Sequence, residues 1–176
     1  LREGGFELAV FSVATQHYLA SNYRRTPAIA DVMTVAAIAA GWPRATWFDP
    51  YERAMMLAAE LRATAAGSSG RLRLVTTRDE LDGLLLPQFA GDDVIGAVLL
   101  LEGMQAIDGR LGRVDSLFAA GYRIFGIAHM FDNEVGGSAH GWHKGGLTDL
   151  GRAAVARVDS LGGIIDLVIH EKAIEL

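Results

Sequence analysis

The sequence predicts an α/β fold with a parallel sheet, on three observations. Short, nearly continuous apolar runs recur at residues 6–13, 94–101 and 124–128. Helix-start signals stand between them, most plainly Asp49-Pro50-Tyr51-Glu52 and Thr77-Arg78-Asp79-Glu80. Polar residues collect where the runs stop: Gln16 and His17, then Glu102-Gly103, then His129. Strands alternating with helices, largely apolar and polar at their C-terminal ends, are the pattern of a parallel sheet covered on both faces.

Each element has its own warrant. Residues 6–13, FELAVFSV, read as a buried strand. Residues 18–27 read as a loop, because Pro27 is barred from a helix interior and pushes Thr26 toward extended backbone. Residues 28–40 are rich in Ala, Val, Ile and Met and read as a helix. A second helix starts at Asp49 as N-cap with Pro50 in the first turn, runs through Met55, Met56, Ala59 and Leu61, and stops before Gly67-Ser68-Ser69-Gly70. Residues 71–75 alternate polar and apolar, as a half-exposed strand does. Thr77 and Glu80 form a capping box for a short helix reaching Leu86. Residues 94–101, VIGAVLLL, read as a strand buried on both faces. A helix over 114–120 ends at Gly121, and the 124–128 strand follows. A last helix over 152–161 ends at Gly162-Gly163, before a short strand at 164–167. With no repeat, low-complexity stretch or linker, residues 1–176 are expected to form a single domain.

Composition removes several function classes. The chain has 176 residues, 51% of them hydrophobic and 21% charged, with mean hydropathy +0.23, so a packed core is expected. A net charge of -5 argues against a nucleic-acid binder. With no cysteine there is no disulfide, no thiolate zinc ligand and no thiol nucleophile. The apolar stretches fall short of the roughly 20 residues a bilayer requires, so no membrane span is expected. The chain opens Leu1-Arg2-Glu3-Gly4-Gly5, without a basic region followed by an apolar one. The expectation is a cytoplasmic location, with periplasm or secretion left open, and numbering that begins inside a longer product.

The chemistry is expected at the strand ends. Glu102 follows an apolar strand directly; it is placed to ligate a metal or act as a base, or else it is the first exposed residue of a loop. His129 ends the next strand the same way, and consecutive parallel strands bring such ends to one face. Asp132-Asn133-Glu134 could ligate a metal, cap a turn or be solvated. His140 and His143 are separated by Gly141, which argues against one helical face presenting both, so a metal site from that pair is not expected. The Gly136-Gly137-Ser138 loop matches neither GxGxxG nor a Walker pattern, and GxSxG is absent. His170 stands near the end of the last strand, as a zinc ligand or as a surface histidine.

The stretch GYRIFGIAHMFDNEVGGSAHGWHKGGLTDLGR resembles the central part of the membrane dipeptidase (renal dipeptidase) family of zinc peptidases, especially its bacterial members. LLLEGMQAIDG resembles that family's strand ending in Glu-Gly, LREGGFELAVFSV the segment after its first metal motif, and GGIIDL the strand leading to a later histidine. The resemblance implies a (β/α)8 TIM-type barrel, of which roughly the N-terminal half is present. It implies two zinc ions, with Glu102 as bridging carboxylate and catalytic group, His129 as substrate-binding histidine and His170 as a further metal ligand. The implied reaction is hydrolysis of dipeptides by a metal-bridging hydroxide, and the expected partners are a dipeptide and a second copy of the chain.

The chain departs from the family pattern in three ways, one of them that the later histidine, the substrate arginine and the aspartate expected in the barrel's second half have no counterpart in the sequence. His-x-Asp, expected upstream, is not in the sequence, and Asp166 and His170 are four apart where the family has three. A complete barrel takes about 250 residues. The competing expectations are a non-catalytic half-barrel that binds a ligand or partner chain, and another amidohydrolase-type metal hydrolase.

Overall fold

The computed structural model describes residues 6–85 and 94–167. Five strands, β1 (Leu8–Val13), β2 (Leu72–Leu74), β3 (Ile95–Leu101), β4 (Tyr122–Gly126) and β5 (Ile164–Asp166), form one sheet in which every pairing is parallel. Five α-helices accompany them: α1 (Val32–Ala39), α2 (Pro50–Gly67), α3 (Arg78–Leu85), α4 (Gly112–Ala120) and α5 (Asp149–Ser160). Short 3-10 turns lie at Arg44–Thr46 and Met104–Ile107.

β3 is the centre of the sheet. One edge pairs with β1 from Leu8↔Gly96 to Val13↔Leu101. The other pairs first with β2, up to Leu74↔Ala97, and then with β4, from Leu99↔Tyr122 to Leu101↔Phe125. β4 in turn carries β5, with Gly126 opposite Asp166. Because all strands run one way, the ends at Val13, Leu101, Gly126 and Asp166 share one rim of the sheet. Below that rim Leu99, Leu101, Tyr122 and Phe125 pack with Ala54 and Ala58 of α2, Val114 and Leu117 of α4, and Ala154 and Val158 of α5. The alanines let α2 lie close, and the Tyr122 hydroxyl donates to the Ala54 carbonyl at 2.8 Å.

Most expected elements are present, with shifted ends. The run at 28–40 is helical only from Val32. Asp31 is its N-cap, accepting from the Met33 N–H, and Ala30 is held at φ 48° outside the helix. α4 and α5 begin earlier than expected, at Gly112 and Asp149; the Thr148 side chain caps α5 by accepting from the Gly151 N–H. Strand β4 starts at Tyr122 and ends at Gly126, where its pairing with β5 runs out, so His129 lies three residues past the strand. The capping box forms as read: Thr77 Oγ1 accepts from the Glu80 N–H at 3.1 Å, and Glu80 Oε2 accepts from the Thr77 N–H at 3.0 Å. Among the described residues no helix is long and apolar enough to cross a membrane.

One buried cation ties the first third of the chain together. Arg53 of α2 is 0% exposed. Its Nε donates to the Thr46 carbonyl at 2.7 Å. Nη1 donates to the Thr15 carbonyl at 2.8 Å and to Asp31 Oδ2 at 2.6 Å. Nη2 donates to Thr34 Oγ1 at 2.9 Å and to the Trp47 carbonyl. All five donors of the guanidinium are thus used. Removing it leaves the Asp31 carboxylate, the Thr34 hydroxyl and three carbonyls, buried or half-buried, without that partner. Arg53→Met is expected to destabilise the protein by about 3–5 kcal/mol, read as a lower urea midpoint at unchanged slope.

The α3 cap makes stability depend on pH. Hydrogen bonds from the Thr76 and Thr77 N–H groups and hydroxyls hold the Glu80 carboxyl below its ordinary value, with the Thr76 backbone N–H the largest cause. A depressed folded pKa contributes stability above the unfolded value and loses it as pH falls through the folded one. Glu80→Ala is expected to cost about 0.5–1 kcal/mol near neutrality. Its difference from wild type should close as pH falls through and below the ordinary carboxylate range in paired urea titrations.

Candidate active site

Glu102 is positioned by the strand ladder. Its N–H donates to the Val13 carbonyl at 3.0 Å, locking the end of β3 to the end of β1. Gly103 follows at φ 88°, and a Cβ there would meet Gln105 Oε1 at 2.3 Å. That close approach lets the buried Gln105 fold back under the site. Gln105 Nε2 donates to Thr15 Oγ1 and to the Glu102 carbonyl, each at 3.3 Å. Asn133 Nδ2 donates to the Ile127 carbonyl at 2.8 Å and reaches Gln105 Oε1 at 3.5 Å. One polar network therefore underlies the ends of β1, β3 and β4.

His129 meets Glu102 above this network, with Nδ1 at 3.4 Å from Glu102 Oε1. The two side chains are 24% and 31% exposed. Burial pushes the His129 imidazole below its usual pKa; Glu102 and Asp166 pull it up, while His17 and His140 push it further down. A neutral ring is favoured, so the contact with Glu102 is dipolar rather than a full ion pair. The same interactions show that His17, His140 and Asp166 lie around His129.

The loop after His129 is organised by Asp132. Its carboxylate accepts from the N–H groups of Ser138 at 2.9 Å, His143 at 2.7 Å and Lys144 at 3.3 Å. A Cβ on Gly141 would lie 1.8 Å from Asp132 Oδ1, so only glycine admits this arrangement. Asn133 Oδ1 accepts from the Val135 and Gly136 N–H groups at 2.9 and 3.1 Å, an Asx turn. Of the alternatives open for residues 132–134, Asp132 and Asn133 are therefore turn-formers, and Glu134 is exposed. A cavity of about 510 Å³ opens beside the network, lined by Gln16, Tyr18, Phe48, Gln105, Phe131 and Glu134 among others.

The structure brings Glu102 and His129 together, as the strand ends suggested. His143 is exposed and does not join them. His170 lies outside the described residues. Sequence reasoning gave no role to Thr15, Gln105 or His17 and set His140 aside; their only signal was position just past a strand end or inside the polar loop.

Two comparisons place the chain and its fold. The profile of the membrane dipeptidase family (peptidase family M19) matches residues 1–173. The chain belongs to the membrane dipeptidase family. Solved structures similar to this family member share its fold. A metallo peptidase from Rhodobacter sphaeroides, liganded with a phosphinate mimic of the dipeptide L-Ala-D-Ala, aligns with TM-score 0.61 at 22% identity, over 70% of this chain and 35% of its own. The probable dipeptidase PvdM from Pseudomonas aeruginosa aligns with TM-score 0.60 at 16% identity, over 94% of this chain and 47% of its own. An amidohydrolase from Pseudomonas aeruginosa gives 0.58 at 18%, over 96% and 40%. No curated protein matches the chain. The fold is of the TIM-barrel type, and the chain spans between 35% and 47% of these neighbours' lengths.

A metal is the cofactor this family implies, and the donor set bears on it. Among the described residues the only side chain set against the Glu102 carboxylate is His129. A carboxylate at a strand end, with no Lys or Arg paired to it among the described residues, suits a divalent metal. Among the described residues no three His, Cys, Asp or Glu side chains converge closely enough to hold one. Glu102 is the residue among those described whose chemistry and position suit a metal ligand.

Proposed function

We propose that this chain forms part of a zinc-dependent dipeptidase. The observation that carries the reading is the meeting of Glu102 and His129 at 3.4 Å, just beyond the ends of adjacent parallel strands in a membrane dipeptidase family member. Glu102 would help hold the two zinc ions, with His170 a further ligand. Bound zinc supplies Lewis acidity and lowers the pKa of water, which removes the need for a serine or cysteine nucleophile. Glu102 holds its charge in a fixed place because the β1–β3 ladder and Gln105 fix its backbone. His129, neutral and beside that carboxylate, offers a ring N–H to the oxygen on which negative charge develops as the peptide carbonyl is attacked. The 510 Å³ cavity beside the network gives room for a dipeptide side chain. The R. sphaeroides neighbour, bound to a dipeptide mimic, supports this substrate class.

A second reading is a non-catalytic half-barrel that binds a ligand or partner chain. It is favoured by the lack of three convergent metal-binding side chains among the described residues. Metal content separates the two readings.

In the full-length protein, Glu102→Gln is expected to lose bound zinc and nearly all dipeptide hydrolysis, by elemental analysis and a ninhydrin assay. Two zinc ions retained by that variant would sink the assignment. His129→Ala should keep its zinc and lose roughly 100-fold or more in kcat, the scale of removing one oxyanion donor. Zinc loss in that variant would make His129 a ligand instead.

A further inference from the structure

His140 is fastened at three points. Its N–H donates to Ser138 Oγ at 3.0 Å. Its carbonyl accepts from the Thr26 N–H at 2.7 Å. Its ring Nδ1 lies 2.8 Å from the Tyr23 carbonyl, and the Tyr23 ring stands edge-on to it at 5.3 Å. A carbonyl only accepts, so Nδ1 carries the proton, and in the neutral ring Nε2 is left as a lone-pair acceptor.

The same serine links this residue to the first histidine. Ser138 is fully buried, and its hydroxyl donates to the His129 carbonyl while accepting from the His140 N–H. One hydroxyl thus sets the spacing of two histidines that are also in electrostatic reach of each other. In the neutral ring the Tyr23 carbonyl thereby fixes the tautomer, and the acceptor stands on Nε2. A dipeptide presents two donors, its α-ammonium and its peptide N–H, and the ammonium is the stronger partner for a bare imidazole nitrogen. Glu102 and Asp166, both acting on His129, add negative charge to the neighbourhood.

We propose that His140 is a second substrate-binding histidine, tied to His129 through Ser138, whose Nε2 accepts a hydrogen bond from the substrate's free amino group. This rests on the dipeptidase reading. His129 then serves the scissile carbonyl, and His140 measures the distance from it to the amino terminus, selecting substrates with that end unblocked.

The test uses the full-length, zinc-loaded protein and two phosphinate mimics of alanyl-alanine, one with a free and one with an acetylated amino group. His140→Asn keeps an N–H donor near the position of Nδ1 and removes the acceptor at Nε2; His140→Gln restores an acceptor near Nε2. Calorimetry should show Kd for the free-amino mimic rising about tenfold in His140→Asn, partly recovered in His140→Gln, with the acetylated mimic unaffected in both. The ratio of the two Kd values is read within one preparation, so loss of folded protein cannot imitate it. His140→Asn binding like wild type overturns the proposal, and so does equal weakening of both mimics. Wild-type protein that shows this pattern but hydrolyses no dipeptide keeps the proposal and defeats the hydrolase reading. Wild-type protein that neither binds nor hydrolyses overturns both.

Discussion

The guanidinium of Arg53 is the interaction on which the site's footing depends. It reaches from the first turns of α2 to the backbone just past β1, to the cap of α1 and to the Arg44–Thr46 turn. Thr15, held by its carbonyl from below, accepts at its hydroxyl from Gln105 above. Gln105 in turn holds the Glu102 carbonyl and faces Asn133, which grips the end of β4. A buried charge with every donor matched costs far less than an unmatched one and is sensitive to geometry. The strand ends are therefore braced from beneath as well as paired side by side.

Parallel pairing does the rest of the positioning. β3 carries β1 on one edge and both β2 and β4 on the other, so its C-terminal end is held between two neighbours. Anything placed one residue beyond such a strand inherits the rigidity of the ladder. Glu102 has that place. His129 does not, and it relies instead on Asn133 and Ser138, which fix the backbone on either side of it.

What was legible in the sequence was what local pattern encodes. The stop of an apolar run at Glu102 and at His129 is visible in a few residues, and so are the caps at Asp49 and Thr77. The start of α1 was also encoded, in Asp31, but the alanines and isoleucine before it blur the boundary that the left-handed Ala30 makes plain. Arg53 was hidden for a different reason. A charged residue in a helix is ordinarily solvated, and its partners at Thr15 and Asp31 are 38 and 22 positions away. The contacts of His140 are equally non-local: its ring meets the carbonyl of Tyr23, 117 positions earlier, and its N–H a serine two positions back.

The Asp132 carboxylate gathers three backbone N–H groups across a dozen positions of chain. A loop wound about its own internal anion has already given up its conformational entropy in the free protein. Arrival of a ligand then resembles docking into a cast mould more than the shutting of a door. Selectivity in such a site comes from fit and from unmatched polar groups, and its association rate is set by encounter rather than by loop ordering.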